Sequence, residues 1–400
     1  MKRALISIIL IFGLTAAAVA QHPIRPDAFP PAAEPLETKA VNMASTIDQM
    51  DTWDRYPTYE VYLEMMARFA RNYPHICTID TIGRSVNNRL ILSAVIHYNQ
   101  NCVATAPNFF YSSTIHGDEV TGYYLMLRLI DSLVRGYETD TAIQNLVTNV
   151  CIYINPLANP DGTYYLSNNT LAYSRRYNAN GVDLNRNWPD PFGVEPEDSL
   201  QPENKAMMNY MLNRQFILSA NLHGGAEVMN YPWDSFTAAE RSHPDATWWQ
   251  EVSQRFVDTA RAVAPNMFRT MGGVTSGGDW YVISNGRQDW ANYYANCHEM
   301  TMELSTSKTL STSQLDNYWK AQSKSLINYI REIYNCPMMP VAGIRKPLAD
   351  QSEISVAPNP TSGPVTIKTA NGTYHYDLSQ NAAGVYVINV EGKPVRVVKQ

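Results

Sequence analysis

The feature that most constrains the fold is an alternation of short apolar runs with longer segments of helical character. The apolar runs of strand length are 90–96, 109–115, 150–154 and 216–222. The helical segments include 120–134, 202–214, 246–263 and 313–334. This alternation predicts an α/β fold built on a mixed, largely parallel sheet with helices on both faces. In such sheets, sites form where strands end.

The two ends of the chain differ from this central pattern. Residues 21–50 are rich in proline and alanine and are predicted to form a linker or a pro-segment. The α/β pattern occupies 51–336, and 337–352 resembles a loop. Residues 353–400 contain short β runs between turn signals, which predict a small C-terminal all-β appendage.

The first twenty residues have the organisation of a secretory signal peptide. Lys2 and Arg3 precede an uncharged stretch that ends in Ala18-Val19-Ala20, a small-residue cleavage signal. A membrane anchor is the alternative, but the apolar core is short for a spanning helix. No later segment is apolar and long enough to cross a bilayer. The mature protein is therefore expected to be exported without an integral membrane segment.

Charge and cysteine content narrow the partners and the compartment. The net charge of −6 becomes −8 once the two positive charges of Lys2 and Arg3 are removed. This balance argues against nucleic acid as a partner. The five cysteines include no Cys-x-x-Cys pair, and their odd number leaves at least one thiol unpaired. Cys151 opens an apolar strand and is expected to be a core residue.

Three residues form the pattern of a catalytic metal site. His116 and Glu119 are spaced His-x-x-Glu, and His223 follows a second predicted strand. Two imidazoles and one carboxylate are the ligands of many catalytic zinc ions, and they leave a fourth position open. Since both histidines follow predicted strands, they can meet at one sheet edge. We expect one Zn²⁺ ion here.

Several motifs in 50–335 then resemble, in order, those of the zinc metallocarboxypeptidases, specifically the N/E or regulatory subfamily with a B-like preference. The resemblance implies the carboxypeptidase-like fold and action on peptides or proteins with free C-termini. The matching segments are His116–Glu119, Asn159–Gly162, Arg176–Asn187, Asn221–His223, Asn230–Asp234, Trp280–Tyr281, Gln288–Asp289 and Cys297–Ser305.

The resemblance also implies residue roles. Glu303 corresponds to the general base, and Arg176 to the arginine that stabilises the oxyanion. The neighbouring Arg175 is the alternative, but the spacing to Asn185 favours Arg176. Asn185 and Arg186 correspond to the clamp for the substrate's terminal carboxylate, which suits arginine's planar fork. Tyr281, 22 residues before Glu303, corresponds to the tyrosine that closes over the substrate.

Two further positions concern specificity. Asp234 and Gln288 correspond to residues that line the pocket for the C-terminal side chain. A buried carboxylate there would pair with Lys or Arg and disfavour Phe or Leu. The alternative is that Asp234 caps the turn at Ser235. Asp118 departs from the family pattern, where many relatives have Asn or Arg, and it leaves the preference for longer substrates open.

The tail resembles a sorting domain of the bacterial type IX secretion system. The resemblance rests on Val356–Gly363, Asp377–Ser379, Gly384–Tyr386 and the Val-Arg-Val-Val-Lys-Gln terminus, and a generic β module is the alternative. It implies secretion machinery as a partner, passage through the periplasm, and a secreted or outer-surface location. The predicted function is thus a secreted zinc carboxypeptidase that removes C-terminal Lys or Arg. The alternatives are a carboxypeptidase for cell-wall peptides and a catalytically silent peptide-binding module.

Overall fold

The computed structural model describes residues 41–99, 102, 106–337, 355–357, 361–369, 372–381, 384–390 and 393–399. The predicted signal peptide, residues 21–40 and nearly all of the predicted linker 337–352 lie outside the described residues. Within them, no helix is long and apolar enough to cross a membrane.

Ten strands and nine helices precede the tail among the described residues. The strands are β1 (Met43–Ala44), β2 (Tyr56–Pro57), β3 (Cys77–Arg84), β4 (Leu90–Ile96), β5 (Asn108–Ser113), β6 (Cys151–Asn155), β7 (Leu218–His223), β8 (Ala226–Tyr231), β9 (Val274–Ser276) and β10 (His298–Ser305). The helices are α1 (Tyr59–Asn72), α2 (Thr121–Thr139), α3 (Thr141–Asn149), α4 (Pro160–Thr163), α5 (Pro202–Arg214), α6 (Ala246–Arg261), α7 (Gly277–Trp280), α8 (Arg287–Tyr293) and α9 (Leu315–Arg331).

Eight of these strands form one mixed sheet in the order β3-β4-β6-β5-β7-β10-β8-β9. The central pairings β6/β5, β5/β7 and β7/β10 are parallel, as is β8/β9 at one edge. The remaining pairings, β3/β4, β4/β6 and β10/β8, are antiparallel. The predicted mixed α/β sheet is therefore confirmed.

The helices cover both faces of this sheet, as the sequence predicts. On β5, Phe109 and Tyr111 pack into one core cluster with buried residues of α1, α2, α6 and α9. The intervening Phe110 packs into a second cluster with residues of α5 and α8. Successive strand residues point to opposite faces, so one apolar strand contributes to both cores.

Local sequence signals explain where α1 begins and ends. The side chain of Thr58 accepts a hydrogen bond from the Val61 N–H and caps the first turn. Tyr62, Met66 and Phe69 are buried along one face of the helix. The helix ends at Asn72, shortly before Pro74, which cannot continue it.

The described part of the tail is entirely β. Strands β11 (Ser355–Ala357), β12 (Pro364–Thr369) and β13 (Gly372–Asp377) form one antiparallel sheet, and β14 (Gly384–Val390) pairs with β15 (Lys393–Lys399). Its apolar cluster is small: Val365, Ile367, Leu378, Val390 and Val397. The predicted all-β appendage is thus confirmed, and its sorting role remains a prediction.

Cys151 is buried in the core, as predicted. It also forms a disulfide with Cys102, a pairing that the sequence left open. An apolar context predicted burial and gave no information on pairing, because connectivity depends on which loop approaches the strand. The thiols of Cys77, Cys297 and Cys336 are buried.

Candidate active site

The strand register brings the predicted metal ligands and Glu303 together. His116 and Glu119 lie in the turn between β5 and α2, and His223 is the last residue of the adjacent strand β7. Strand β10 pairs with β7 on its other side, and Glu303 lies directly opposite His223. The residues therefore meet at one end of the three central strands, where the sequence predicts a site.

The three ligand side chains converge on a common point. Glu119 Oε2 lies 3.0 Å from His116 Nδ1 and 2.9 Å from His223 Nδ1. The two Nδ1 atoms are 3.1 Å apart, and all three side chains are buried. Two ring nitrogens and one carboxylate oxygen that face each other at this range are the donor set that zinc prefers. The residues present thus fit a zinc ion.

Groups behind the two histidines support metal binding through Nδ1. His116 Nε2 lies 3.2 Å from Asp183 Oδ1, which can accept its proton and leave Nδ1 as a ligand. His223 Nε2 lies 2.8 Å from the Asn221 side-chain amide, whose oxygen has no partner among the described residues. Rotation of that carboxamide would let Oδ1 accept a hydrogen bond from the Nε2–H of His223 and leave Nδ1 as the metal ligand.

A close backbone contact explains the Asn159-Pro-Asp-Gly162 motif. A Cβ on Gly117 would lie 2.4 Å from the Gly162 backbone, so the ligand-bearing turn and this motif pack without side chains between them. Asn159 accepts from the Gly162 N–H and donates to the Ile115 carbonyl. The motif therefore supports the turn that carries His116.

Arg176 faces the metal cluster, whereas Arg175 turns away. Arg176 Nη1 lies 3.2 Å from His116 Nδ1 and 3.7 Å from Glu119 Oε1. The Arg175 guanidinium lies 3.6 Å from the centre of the Tyr165 ring and donates to the Asn178 carbonyl. Of the two candidates, only Arg176 is placed to meet negative charge at the cluster.

A cavity opens beside the metal cluster and contains most of the predicted site. It is lined by His116, Asn185, His223, Asn230, Asp234, Tyr281, Ile283, Thr301 and Glu303. Glu303 is buried, and its Oε2 has no hydrogen-bond partner among the described residues. Burial, together with the negative charge of Glu119, raises the pKa of Glu303 well above its usual range. This carboxylate is therefore placed to exchange protons at the cluster.

Asn185, one of the two residues of the predicted carboxylate clamp, lines the cavity. Asn185 Oδ1 accepts the Arg287 backbone N–H at 3.0 Å, and Arg186 Nη1 donates to the Asn185 carbonyl at 2.8 Å. The positive charge of Arg186 favours the ionised forms of Asp183, Asp234 and Tyr281, but burial still raises the pKa of Asp234 and Tyr281 above the usual range. Arg186 is not among the residues that line the cavity.

Asp234 and Gln288 form one hydrogen-bonded group at the pocket. Gln288 Nε2 donates to Asp234 Oδ1 at 2.8 Å, and Gln288 Oε1 accepts the Thr301 N–H at 2.6 Å. The Ser235 N–H donates to Asp289. The alternative in which Asp234 caps the turn at Ser235 is therefore wrong.

Gly277 leaves the space that the Asp234 side chain occupies, and Asp289 adds a negative charge beside it. A Cβ on Gly277 would lie 1.8 Å from Asp234 Oδ1, so only glycine leaves room for the carboxylate. Burial, and next the charge of Asp289, raise the pKa of Asp234 well above its usual range. Burial likewise raises the pKa of Asp289 to about 6. The cavity is thus lined by a buried carboxyl group whose proton is held more tightly than usual.

Sequence reasoning missed four contributors to the site: Asp183, Gly277, Asp289 and Lys308. Asp183 lies within the Arg176–Asn187 motif, and its position two residues before Asn185 is the only sequence signal for a role at the site.

Lys308 Nζ lies 2.9 Å from Asp118 Oδ2 and 3.7 Å from Glu119 Oε1. Asp118, the departure from the family pattern, is thus half of an ion pair beside a metal ligand.

Comparison with known proteins agrees with this geometry. The family model described as zinc carboxypeptidase matches residues 62–325. Human carboxypeptidase D is 36% identical over 294 residues, which cover 70% of this chain and 21% of that protein. Mouse carboxypeptidase M is 34% identical over 311 residues, covering 74% of this chain and 68% of that protein. The chain thus spans about a fifth of the length of the carboxypeptidase D proteins that it matches.

Solved structures share the fold. The crystal structure of thrombin activatable fibrinolysis inhibitor superposes with a TM-score of 0.62 at 18% identity, over 73% of this chain and 77% of that chain. Carboxypeptidase A from Helicoverpa armigera gives a TM-score of 0.59 at 19% identity, over 72% and 76%.

Proposed function

Because the chain belongs to the zinc carboxypeptidase family, we propose that this metallocarboxypeptidase releases C-terminal lysine or arginine from peptides and proteins outside the cytoplasm. The observation that carries the basic preference is the buried Asp234 carboxylate in the cavity that also contains Asn185, Tyr281 and Glu303. A substrate whose terminal carboxylate meets Asn185 would place its last side chain toward Asp234.

Each residue of the site has a defined part in this proposal. His116, Glu119 and His223 would hold a zinc ion, which would act as a Lewis acid and lower the pKa of bound water. Glu303 accepts a proton at its unpartnered Oε2 and returns it to the leaving amine. Arg176 stabilises the negative charge that develops on the carbonyl oxygen, an effect worth roughly 3 kcal/mol for one well-placed donor.

The remaining residues bind the substrate. Asn185 and Arg186 hold the terminal carboxylate, which restricts cleavage to the last peptide bond. Tyr281 closes over the bound residue and excludes water. Asp234, oriented by Gln288, pairs with the lysine or arginine side chain. A C-terminal Phe or Leu would leave that carboxylate buried and unpaired, which is costly.

Several features support export. Residues 1–20 have the pattern of a signal peptide, and the Cys102–Cys151 disulfide suits an oxidising compartment. We assign 51–336 to the catalytic domain and 353–400 to a sorting domain for secretion machinery. The proposed location is therefore the medium or the outer cell surface.

The test is amino-acid release from matched peptides that end in Arg, Lys, Phe or Leu. We expect release of Arg and Lys that a chelator stops and zinc restores, and a Glu303→Gln variant that binds zinc without turnover. Release of Phe or Leu instead would refute the basic preference and leave the zinc mechanism standing. Normal turnover by Glu303→Gln would refute the mechanism.

The two alternatives are outcomes of the same experiment. A zinc-loaded protein that cleaves cell-wall peptides and none of the four simple peptides would be a cell-wall carboxypeptidase. A zinc-loaded protein that binds peptides without releasing any amino acid would be a silent binding module.

A further inference from the structure

A fully buried ion pair lies directly behind the substrate pocket and has no part in the proposed chemistry. Arg287 Nε is 2.9 Å from Glu299 Oε1, and Arg287 Nη2 is 2.8 Å from Glu299 Oε2. Both side chains are 0% exposed. A buried pair of this kind is weak as a source of stability, because desolvation offsets the attraction. Its two-point geometry instead fixes the orientation of the groups attached to it.

The surroundings hold the pair in one arrangement. The Ser219 hydroxyl donates to Glu299 Oε2 at 2.7 Å. The guanidinium lies 5.4 Å from the centre of the Phe110 ring and 5.9 Å from that of Trp188. Aromatic rings and a second hydrogen bond therefore leave the guanidinium little freedom to rotate.

The backbone of Arg287 fixes the predicted clamp. Arg287 is the first residue of α8, so its N–H has no partner within the helix. This N–H donates to Asn185 Oδ1 at 3.0 Å. Because a backbone N–H can donate only to the oxygen of a carboxamide, the bond determines which end of Asn185 is the oxygen. The NH₂ end remains as the donor for a substrate carboxylate.

The next residue fixes the specificity pocket. Gln288 accepts the Thr301 N–H and donates to Asp234, as described above. Glu299, Thr301 and Glu303 alternate along β10, so their side chains share one face of that strand. One ion pair thus attaches the helix turn that bears Arg287 and Gln288 to the strand that bears Glu303.

We propose that Arg287, held by Glu299, is a positioning residue that sets the orientation of Asn185 and Gln288 for recognition of the C-terminal residue. The inference rests on the proposed function, because it concerns how that function's substrate is bound. Arg287 does not touch substrate. Its loss is therefore expected to weaken binding and to leave the chemical step, which depends on Glu303 and Arg176, largely intact.

The test compares zinc-loaded full-length protein with the double variant Arg287→Met/Glu299→Gln, which removes the ion pair without leaving a buried charge. For a peptide ending in Arg, we expect KM to rise roughly tenfold or more while kcat stays within about threefold. Binding of free arginine, measured by calorimetry, should weaken by a similar factor. Arg287→Lys keeps the charge but loses the two-point contact, so it should lie between the wild type and the double variant.

A second ion pair far from the cavity provides the matched control. Arg255 and Glu332 pair with the same two-point geometry at 2.8 and 2.9 Å, and Arg255 is about half exposed. The variant Arg255→Met/Glu332→Gln should keep the wild-type KM and kcat.

The outcomes separate this inference from the function on which it rests. Unchanged KM in the double variant, or a fall in kcat with KM unchanged, overturns the positioning role, as does an equal rise of KM in the control. If the double variant does not fold, the KM and kcat of Arg287→Lys are used instead, and an unchanged KM in that variant overturns the positioning role. If the wild type neither releases nor binds arginine, the proposed function fails, and the inference fails with it.

Discussion

The Asp183 carboxylate accepts a hydrogen bond from Arg176 Nε at 2.8 Å. Its other oxygen lies 3.2 Å from Nε2 of the metal ligand His116 and accepts the Asn185 N–H at 2.9 Å. One partly buried carboxylate therefore orients a metal ligand, the predicted oxyanion arginine and the start of the carboxylate clamp. The positive groups around it hold the pKa of Asp183 well below its usual range, despite its partial burial.

Replacement of Asp183 should damage metal binding and catalysis together. Asp183→Asn keeps the size of the side chain but loses one acceptor oxygen and the negative charge. Zinc affinity, measured by competition with a chelator, should fall roughly 10–100-fold, the usual cost of losing such a partner. At saturating zinc, kcat should also fall because Arg176 loses its anchor. Wild-type zinc affinity in this variant would contradict the assigned contact.

Gly277 should be required for basic specificity because of space alone. The Cβ of Gly277→Ala would collide with Asp234 Oδ1 and displace it. We expect kcat/KM for a peptide ending in Arg to fall by about tenfold or more, a loss of about 1.4 kcal/mol. Gly136→Ala in α2 is the control, since its Cβ meets only side-chain atoms of Ile143 at 3.2 Å or more. Equal activity of the two variants would show that the pocket adapts to the methyl group.

Asp234→Asn should make the protein more stable and less active. The folded state keeps the protons of Asp234 and Asp289 to higher pH than the unfolded chain, because burial raises both pKa values. As pH rises from about 4 through 6, deprotonation therefore lowers the free energy of unfolding. Asp234→Asn removes much of this loss, so thermal denaturation at pH 7 should occur at a higher temperature than in the wild type.

The activity measurement for the same variant should change in the opposite direction. Loss of the buried carboxylate should reduce kcat/KM for C-terminal Arg by roughly 30-fold or more, as for other buried charge pairs. A variant that is both less stable at pH 7 and fully active on Arg would refute the role of Asp234.

Substrate binding should depend on pH through the same carboxyl group. The charged groups around Asp234 are Asp289, Arg186 and Glu299. Because the pKa of Asp234 is raised, lower pH protonates it and removes its attraction for a basic side chain. The KM for a peptide ending in Arg should therefore rise as pH falls. The ratio of this KM to that of Asp234→Asn should approach one at the acidic end, and a constant ratio would contradict the prediction.

The sequence predicts the elements with strong periodicity and those that carry motifs. Strand β4 and helix α5 have the predicted bounds, 90–96 and 202–214, since apolar composition and Pro202 define them sharply. The sequence does not predict strand β3, because its residues Cys-Thr-Ile-Asp-Thr-Ile-Gly-Arg are only weakly apolar. Only two of its eight residues are fully buried in the structure. Helix α8 was missed because its seven residues are too few for a periodic signal.

The candidate site likewise contains residues that sequence patterns identify and residues that they do not. His116, Glu119 and His223 could be found because ligand chemistry requires those residue types. Asp183 and Asp289 lie inside motifs that resemble the family's, but sequence patterns assign neither a role, since a carboxylate that orients another residue has no characteristic spacing. Arg287 and Glu299 are 12 positions apart and meet only because α8 folds back onto β10.

The disulfide gives the metal site a dependence on the redox state of its surroundings. Cys102 and Cys151 are 49 positions apart, and the loop between them contains His116 and Glu119, two of the three zinc ligands. Closing a loop of this length stabilises the folded state by about 4 kcal/mol in the chain-entropy model. A chain in which Cys102 and Cys151 are still reduced lacks this stabilisation of the segment that contains His116 and Glu119. If the protein is exported as proposed, oxidation of the two thiols would therefore favour a complete metal site only after the chain leaves the reducing cytoplasm.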